Sequence, residues 1–455
     1  MKKKLYIQTY GCQMNQYDSE RIAQVMSRAG YVQTDRIDAA DVILLNSCTV
    51  RDKAEQKVYS ALGSWKEFKD AREGVIIGVG GCVAQQEGEN LLKRVPHLDL
   101  VFGTHNIHKL PEMVDQAQRS RARPVEIAFY RDPSYMEDVD GRTQVHGVKA
   151  FVTIMQGCNK VCSFCIVPHV RGREVSRSSA NIITEIESLV AQGVIEVMLL
   201  GQNVNSYGKL TPGELSFAEL LARVDSIEGL MRIRFTTSHP QDLSPELTEA
   251  FATLDNLCEH LHLPVQSGSD TVLGRMRRGY TRQEYVERIQ RLRERCPKVA
   301  LSTDIIVGFP GETDAEFERT LELLNQLEYD EIFSFMYSPR PQTISAKIYD
   351  DAILEDVKKD RLRRVQKLQQ EISLRKNRQR IGEREEILVD GPSKLKKGQL
   401  MGRTRSNRIV NVTGSERLIG QLVPVQVISA TANSLLGEIM WDKSDLNSRL
   451  EGDRA

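Results

Sequence analysis

Short apolar runs alternate with amphipathic helical patterns twice along this 455-residue chain, and this alternation limits the folds it can adopt. In the first series, the helical patterns cover Ser19–Ala29 and Lys53–Phe68. The strand patterns of that series are Leu5–Tyr10, Asp41–Asn46, Val75–Val79 and Leu98–Gly103. Nearly continuous apolar strands separated by helices indicate a parallel sheet that is covered on both faces. We therefore predict a doubly wound α/β domain over residues 1–118.

A second series begins near residue 147, after a segment of mixed charge at residues 119–146 that we interpret as an exposed linker. Six strand patterns, separated by helical ones, follow one another: Phe151–Met155, Ile195–Leu200, Arg232–Thr236, Leu261–Val265, Ser302–Val307 and Ile332–Met336. Consecutive strand–helix units form right-handed crossovers and a parallel sheet. Six units instead of eight predict a partial (β/α)6 barrel with an open side over residues 147–377.

The last part of the chain changes character. A long charged helix is predicted at Leu354–Arg380, and short alternating strand patterns between turn signals follow it. Such patterns are typical of antiparallel strands. We predict a small antiparallel β-barrel over residues 378–442 and a polar tail at residues 443–455.

The chain carries 62 basic and 62 acidic side chains, which excludes a globally basic nucleic-acid coat but permits local basic faces. No apolar run approaches the ~20 residues that a membrane-spanning helix needs. The first residues show no secretory signal pattern. We therefore expect a cytoplasmic protein without a membrane partner, in which the eight cysteines serve metal or redox chemistry and not disulfides.

Three of these cysteines form a C-x3-C-x2-C loop, Cys158, Cys162 and Cys165, directly after the first strand of the second series. Three thiolates on a four-iron cluster leave one iron open to a chelating ligand. A structural zinc usually has four protein ligands, and the nearest candidate for the fourth is His169. The spacing favours an iron–sulfur site, with zinc or unligated thiols as alternatives.

Three further cysteines each follow a predicted strand of the first series: Cys12, Cys48 and Cys82. The carboxyl ends of parallel strands open on the same edge of a sheet, so we expect these side chains to converge there. The alternative is that they are buried structural thiols. For Cys258 and Cys296, structural packing is the expected role.

The C-x3-C-x2-C loop with an aromatic residue, Phe164, before its last cysteine resembles the signature of radical S-adenosylmethionine (SAM) enzymes. Together with the strand-end cysteines and the terminal barrel, residues 1–442 resemble the methylthiotransferases of that superfamily. The resemblance implies an N-terminal domain with an auxiliary 4Fe–4S cluster, a radical SAM barrel and a TRAM domain.

Two segments are similar to the branch that modifies N6-isopentenyladenosine next to the tRNA anticodon: residues 10–20, YGCQMNQYDSE, and residues 167–177, VPHVRGREVSR. The resemblance implies methylthiolation of C2 of that base. Other branches act on threonylcarbamoyl-adenosine in tRNA or on an aspartate of a ribosomal protein, and they remain alternatives. A non-catalytic RNA-binding protein is a further alternative, but two three-ligand sites fit it poorly because structural sites are usually closed.

The resemblance also implies cofactors and residue roles. Cys158, Cys162 and Cys165 would hold the cluster that chelates SAM, the source of both the radical and the methyl group. Cys12, Cys48 and Cys82 would hold the auxiliary cluster. The expected partners are a tRNA bearing N6-isopentenyladenosine, an electron donor of flavodoxin or ferredoxin type, and a sulfur source.

Candidate SAM contacts are Phe164 and five residues at carboxyl ends of predicted strands, where α/β folds place their chemistry. Those five are Gln202, Asn203, Ser238, Gln266 and Asp304. Each of them could instead cap a helix or form a turn. Arg403, Arg405 and Arg408 concentrate positive charge in the predicted barrel and are candidate contacts to RNA phosphates. For the charge run of the preceding helix, residues 356–367, a solvated face is the alternative.

Overall fold

A computed structural model describes residues 2–48, 52–137, 147–393 and 396–440. The chain divides into two units, the first made of residues 1–229 and 235–237, the second of residues 230–234 and 238–455. The predicted tail at residues 443–455 and the second half of the predicted linker, residues 138–146, lie outside the described residues.

The first unit opens with a six-stranded sheet. Its elements are β1 (Lys3–Tyr10), α1 (Gln13–Arg28), β2 (Tyr31–Gln33), β3 (Val42–Ser47), α2 (Asp52–Ala71), β4 (Ile76–Gly81), α3 (Cys82–Glu87), α4 (Glu89–Arg94), β5 (Leu100–Phe102), α5 (Leu110–Ser120), β6 (Val125–Glu126) and α6 (Ser134–Glu137). The strand order is β2-β1-β3-β4-β5-β6, and the pairs are parallel.

Apolar side chains cover this sheet on both faces. Ile22 of α1 and Val114 of α5 belong to one buried cluster, while Leu62 of α2 belongs to another. Alternate residues of β3 point to the two clusters, Leu44 to the first and Leu45 to the second. Burial on both faces explains the continuous apolar strands and confirms the predicted doubly wound fold.

The sheet has two more strands than the sequence patterns predict. β2 and β6 are three and two residues long, too short to show periodicity. β6 and α6 lie in the segment that we interpreted as an exposed linker, and β6 forms the edge of the sheet beside β5. α1 also begins at Gln13, earlier than the predicted Ser19.

The first unit continues with β7 (Lys149–Thr153), β8 (Met155–Gln156), α7 (Val167–Val170), β9 (Val175–Ser176), α8 (Ser179–Ala191), β10 (Glu196–Leu200) and α9 (Phe217–Asp225). β7 and β10 pair in parallel, with Thr153 beside Leu200. Ser178 caps α8, and a capping box formed by Ser216 and Glu219 starts α9. β11 (Arg232–Thr236) follows and is divided between the two units.

The second unit contains α10 (Pro245–Thr253), β12 (His260–His262), α11 (Asp270–Arg275), α12 (Arg282–Arg295), β13 (Ala300–Val307), α13 (Asp314–Leu327), β14 (Glu331–Met336), α14 (Ile344–Ile348) and α15 (Glu355–Arg378). β12, β13 and β14 form a parallel sheet in that order. The predicted six strands of the partial barrel are thus present in the predicted order, as β7, β10, β11, β12, β13 and β14.

A closed five-stranded barrel completes the second unit. Its strands are β15 (Arg384–Pro392), β16 (Gln399–Thr404), β17 (Ile409–Thr413), β18 (Leu422–Ala430) and β19 (Leu435–Ile439). The order around the barrel is β15-β16-β17-β19-β18. The predicted small barrel is confirmed, although β17 and β19 pair in parallel while the other neighbours are antiparallel. Valine and leucine side chains that alternate along the strands fill its core.

Among the described helices, none combines the length and the apolar character that a membrane crossing requires.

Candidate metal centres

Three adjacent strands of the N-terminal sheet bring Cys12, Cys48 and Cys82 together. Cys12 follows β1 and is the N-cap of α1, Cys48 follows β3, and Cys82 is the first residue of α3 after β4. The parallel register aligns the ends of these strands. Cys48 and Cys82 are buried, and Cys12 is exposed. Their convergence at one sheet edge is therefore observed; their role as ligands stays a prediction.

The three thiols are hydrogen-bonded to one another, with Cys48 in the middle. The hydrogen bond from Cys48 lowers the pKa of Cys12 to about 6, and it also lowers the pKa of Cys82. The pKa of Cys48 is raised, first by the hydrogen bond to Cys12 and then by that to Cys82. Thiolates are the metal-binding form of cysteine, so this arrangement favours that form at the two outer positions.

A buried pair of asparagines holds the first of these cysteines. Asn15 in the first turn of α1 accepts hydrogen bonds at Oδ1 from the backbone N and the Sγ of Cys12, both at 3.4 Å. Asn46, at the end of β3, donates from Nδ2 to the Asn15 carbonyl at 2.8 Å. The sequence patterns did not single out these asparagines, although each stands within three residues of a cysteine.

A buried ion pair lies beside the same thiols. Arg171 Nη2 and Asp18 Oδ2 are 2.6 Å apart, and the side chains are only 3% and 7% exposed. The positive charge of Arg171 contributes to the lowered pKa of both Cys12 and Cys82. Arg171 Nη1 is also buried and has no hydrogen-bond partner among the described residues. A buried, unsatisfied donor beside thiolates suits an anionic group such as an iron–sulfur cluster.

Glycine makes room for the thiols at Gly11. Its φ is +141°, and a Cβ there would lie 2.6 Å from the Cβ of Cys48. A side chain at this position would therefore displace the thiol cluster.

The second set of cysteines lies in one loop after β8. Cys158, Cys162 and Cys165 are partly exposed. The Cys158 backbone N donates to the Gly172 carbonyl at 3.2 Å, and the Cys165 N donates to the Cys162 carbonyl at 3.1 Å. Burial raises the pKa of Cys158 to about 11, against a hydrogen bond that its Sγ accepts from the Lys160 backbone N at 3.4 Å. Local turns thus shape the loop that carries the three cysteines, and their joint role as ligands stays a prediction.

No three His, Cys, Asp or Glu side chains in the described ranges are arranged as a ready site for a single metal ion.

One short segment links the two sets of cysteines. Helix α7 begins two residues after Cys165, and Ile166 and Val170 pack against Cys82. The carbonyl of Val170 accepts a hydrogen bond from Thr104 Oγ1 at 2.9 Å, which fixes the far end of the segment. The segment that directly follows the second cysteine loop is thus packed on a cysteine of the first set.

The candidate SAM contacts fall in both units. In the first unit, Phe164 is half-buried, Gln202 Oε1 accepts a hydrogen bond from the Gly157 backbone N at 2.5 Å, and Asn203 is buried. Gln202 therefore supports the start of the cysteine loop.

In the second unit, Ser238 is buried, and its Oγ has no hydrogen-bond partner among the described residues. Gln266 is buried with φ +77°, and its backbone N donates to the Asp304 carbonyl at 2.9 Å. The Asp304 carboxylate lies 3.6 Å from His262 Nε2. The assignment of these residues to SAM stays a prediction.

The three candidate RNA contacts make bonds within the second unit. Arg405 forms a bidentate pair with Glu259, with Nε–Oε2 at 3.0 Å and Nη2–Oε1 at 2.9 Å. Arg408 is paired with Asp330, and Arg403 donates to the Asn407 carbonyl at 3.2 Å. The Arg405 and Arg408 pairs attach the barrel to the residues just before β12 and β14, so part of the charge is used for internal packing. Contact with RNA stays a prediction.

Comparison with known families assigns three parts of the chain. Residues 4–103 match the uncharacterized protein family UPF0004, residues 152–324 the radical SAM superfamily, and residues 378–440 the TRAM domain.

Curated relatives match along almost the whole length. A tRNA-2-methylthio-N(6)-dimethylallyladenosine synthase of Geobacter sulfurreducens is 52% identical over 97% of this chain and 99% of its own. The proteins of the same name from Geobacter metallireducens and Idiomarina loihiensis are 53% and 46% identical, covering 96% and 99% of this chain and 98% and 94% of their own.

Solved structures show the fold. The radical S-adenosylmethionine methyltransferase TsrM from Kitasatospora setae, solved with cobalamin and a [4Fe-4S] cluster, has a TM-score of 0.57 and 13% identity, covering 76% of this chain and 74% of its own. The cobalamin-dependent S-adenosylmethionine radical enzyme OxsB has a TM-score of 0.53 and 13% identity, covering 80% of this chain and 56% of its own.

These matches confirm the predicted family and, through the radical SAM match, the enzyme class and the cofactor classes, 4Fe–4S clusters and SAM. The chain belongs to the family of tRNA-2-methylthio-N(6)-dimethylallyladenosine synthases, which are radical SAM methylthiotransferases.

Proposed function

We propose that this chain methylthiolates C2 of N6-isopentenyladenosine (the dimethylallyl form) next to the anticodon of tRNA. The observation that carries the proposal is the presence of two three-cysteine sets in one unit, joined by helix α7. Full-length identity to relatives named for this modified base supports the choice of substrate.

In this proposal, Cys158, Cys162 and Cys165 hold the cluster that binds SAM, and Cys12, Cys48 and Cys82 hold the auxiliary cluster. When bound, the two clusters and SAM supply the radical, sulfur and methyl chemistry that an unactivated ring carbon requires. The chain's own residues provide thiolates, orientation and exclusion of water.

Several residues position the proposed ligands. Gln202 holds the start of the second cysteine loop through Gly157, and Asn15 holds Cys12. The packing of Ile166 and Val170 on Cys82 keeps the two sets in a fixed relation within the first unit. Three thiolates in each set leave one iron of a four-iron cluster without a protein ligand, so each cluster can bind a further group.

The residues assigned to SAM are Phe164, Gln202, Asn203, Ser238, Gln266 and Asp304. Support comes from burial of polar groups at strand ends, above all the buried Ser238 hydroxyl, for which the described residues provide no partner. A ligand would satisfy such a group.

The proposed partners follow from the reaction. The tRNA would contact the terminal barrel, where Arg403, Arg405 and Arg408 are candidates for phosphate contacts. The transfer of sulfur and the cleavage of SAM consume a sulfur source and electrons, for which we propose a separate donor of each kind, the electron donor being of flavodoxin or ferredoxin type. A tRNA substrate is consistent with a cytoplasmic location.

The test is anaerobic turnover of the reconstituted protein with SAM, a reductant and two tRNAs, followed by nucleoside mass spectrometry. One tRNA carries N6-isopentenyladenosine and the other threonylcarbamoyl-adenosine. We expect the mass gain of a methylthio group on the first alone. A gain on the second alone would keep the chemistry and change the substrate, and SAM cleavage without either product would point to a protein substrate.

A further inference from the structure

Strand β14 carries two aromatic residues, each with about two fifths of its surface exposed. Phe333 and Phe335 are 40% and 39% exposed, whereas the alternate residues Ile332, Ser334 and Met336 are only partly exposed. Successive residues of a strand point to opposite faces, so the two rings share one face of the β12-β13-β14 sheet. Neighbouring elements normally cover aromatic side chains of this kind. An exposed pair marks a surface that can bind a partner.

Polar groups lie beside these rings on the same face. The parallel register places Asp304 beside Phe333, and Ser302 beside His262. The rings of His262 and Phe333 meet edge to face with centroids 5.7 Å apart. His262 Nδ1 lies 3.0 Å from Ser302 Oγ, and its Nε2 lies 3.6 Å from the Asp304 carboxylate. The face therefore combines aromatic rings that can stack with polar groups, His262 and Asp304, that can form hydrogen bonds.

We propose that this face binds the base of the tRNA substrate, with the adenine ring stacked on Phe333 and the dimethylallyl group against Phe335; this rests on the proposed function. Proteins bind single-stranded bases by stacking them on exposed aromatic side chains of a sheet. The alkylated N6 of the base keeps one N–H, and the Asp304 carboxylate is a matching acceptor. An isolated phosphate or a sugar would use neither ring.

SAM also contains adenine, and Asp304 is among the residues assigned to SAM, so SAM is the competing ligand for this face. The adenine of SAM carries no alkyl substituent. The second exposed ring, Phe335, adds apolar surface next to Phe333. The dimethylallyl group of the tRNA base would cover this apolar surface, and the unsubstituted adenine of SAM would not. We therefore assign the two rings and the Asp304 carboxylate to the tRNA base, which leaves Phe164, Gln202, Asn203, Ser238 and Gln266 as the proposed SAM contacts.

The experiment uses the full reconstituted protein and two anticodon stem-loop RNAs that differ only in the dimethylallyl group, with binding followed by fluorescence anisotropy. The wild-type protein is expected to bind the alkylated RNA more tightly. Phe333→Ala should weaken binding of both RNAs by about tenfold, the loss expected for one stacked base. Phe335→Ala should mainly remove the preference for the alkylated RNA.

Phe333→Tyr keeps a stacking ring and should restore binding, which separates loss of stacking from misfolding. Leu354→Ala is the matched control, since it removes an apolar side chain in the same unit that is 73% exposed and belongs to the N-cap of α15 and not to the β12-β13-β14 sheet. It should leave both affinities unchanged.

Two results would overturn the proposal. One is unchanged RNA binding and preference in Phe333→Ala and Phe335→Ala. The other is loss of SAM binding in these variants, measured by calorimetry, with RNA binding intact, which would assign the face to the cofactor. The proposed function is tested separately by product formation. If the wild-type protein forms no methylthio product, but prefers the alkylated RNA and loses this preference in the variants, only the proposed function fails.

Discussion

The two sets of cysteines reach the same number of ligands by different routes. Cys12, Cys48 and Cys82 come from three strands that only the folded sheet brings together, whereas Cys158, Cys162 and Cys165 lie in one loop. The first set is therefore a product of tertiary structure, and the second is a product of local turns.

The surroundings of the two sets differ in the same way, with distant residues around the first set and local backbone around the second. The first set has a hydrogen-bonded network of thiols, two buried asparagines and the buried Arg171–Asp18 pair. At the second set, burial raises the pKa of Cys158, and a hydrogen bond to its sulfur comes from the nearby Lys160 backbone N. Changes in distant packing should hence damage the first site more than the second.

Removal of either set should abolish the product but with different side effects. Cys158/Cys162/Cys165→Ala should stop SAM cleavage and keep about four irons on the remaining set. Cys12/Cys48/Cys82→Ala should keep SAM cleavage and lose methylthiolation. Iron analysis after anaerobic reconstitution and chromatography of cleaved SAM measure both effects.

Cys258→Ala/Cys296→Ala is the matched control, because both residues are buried cysteines outside the two sets. It should bind the full amount of iron. Absence of iron from Cys158/Cys162/Cys165→Ala would show that the first set holds no cluster.

The contrast also explains what the sequence could predict. Strand–helix alternation places each of Cys12, Cys48 and Cys82 at a strand end, and parallel pairing then brings them together. The residues that support them were not predictable in this way. Asn15 and Asp18 are buried polar residues of α1. They interrupt the apolar periodicity, which is why the predicted helix began six residues late, at Ser19.

The basic residues of the barrel show the reverse problem. Arg405 and Arg408 form a charge run in sequence, which predicts a surface for phosphate. In the structure they pair with Glu259 and Asp330, which lie far away along the chain. Charge density alone does not reveal partners that tertiary structure supplies. The exposed Phe333 was likewise hidden, because its strand has the apolar pattern of a buried one.

Loss of the buried cation should affect the first set alone. Arg171→Leu leaves the Asp18 carboxylate buried without its partner, at a cost of about 3–5 kcal/mol in the free energy of unfolding. It also removes positive charge beside Cys12 and Cys82. We expect a lower denaturation midpoint and loss of iron in the Cys158/Cys162/Cys165→Ala background.

The variant Arg171→Leu/Asp18→Leu removes both charges and should recover stability without recovering iron. Recovery of iron in this double variant would mean that Arg171 acts only through folding.

A backbone change tests the second set. Gly157 has φ +82°, and a Cβ there would lie 2.0 Å from the carbonyl oxygen of Arg173. Gly157→Ala should therefore move the start of the loop and destabilise it by at least about 1–3 kcal/mol. We expect reduced SAM cleavage while iron on Cys12, Cys48 and Cys82 is kept. Gly213→Ala, at a left-handed glycine with open space around it, is the control for backbone strain without a clash and should keep SAM cleavage.

The smallest effect concerns the helix cap that holds Cys12. Asn15→Ala removes the hydrogen bonds to the backbone N and the thiol of Cys12, and should cost about 1 kcal/mol in the free energy of unfolding. Glu219→Ala removes the equivalent side-chain bond to the N-cap backbone N of α9, so both variants should lose similar stability in denaturant titrations. Only Asn15→Ala should speed the alkylation of Cys12 by iodoacetamide, as read by peptide mass spectrometry. Equal alkylation rates in the two variants would show that Asn15 serves the helix and not the thiol, and the first set would then depend on the sheet alone.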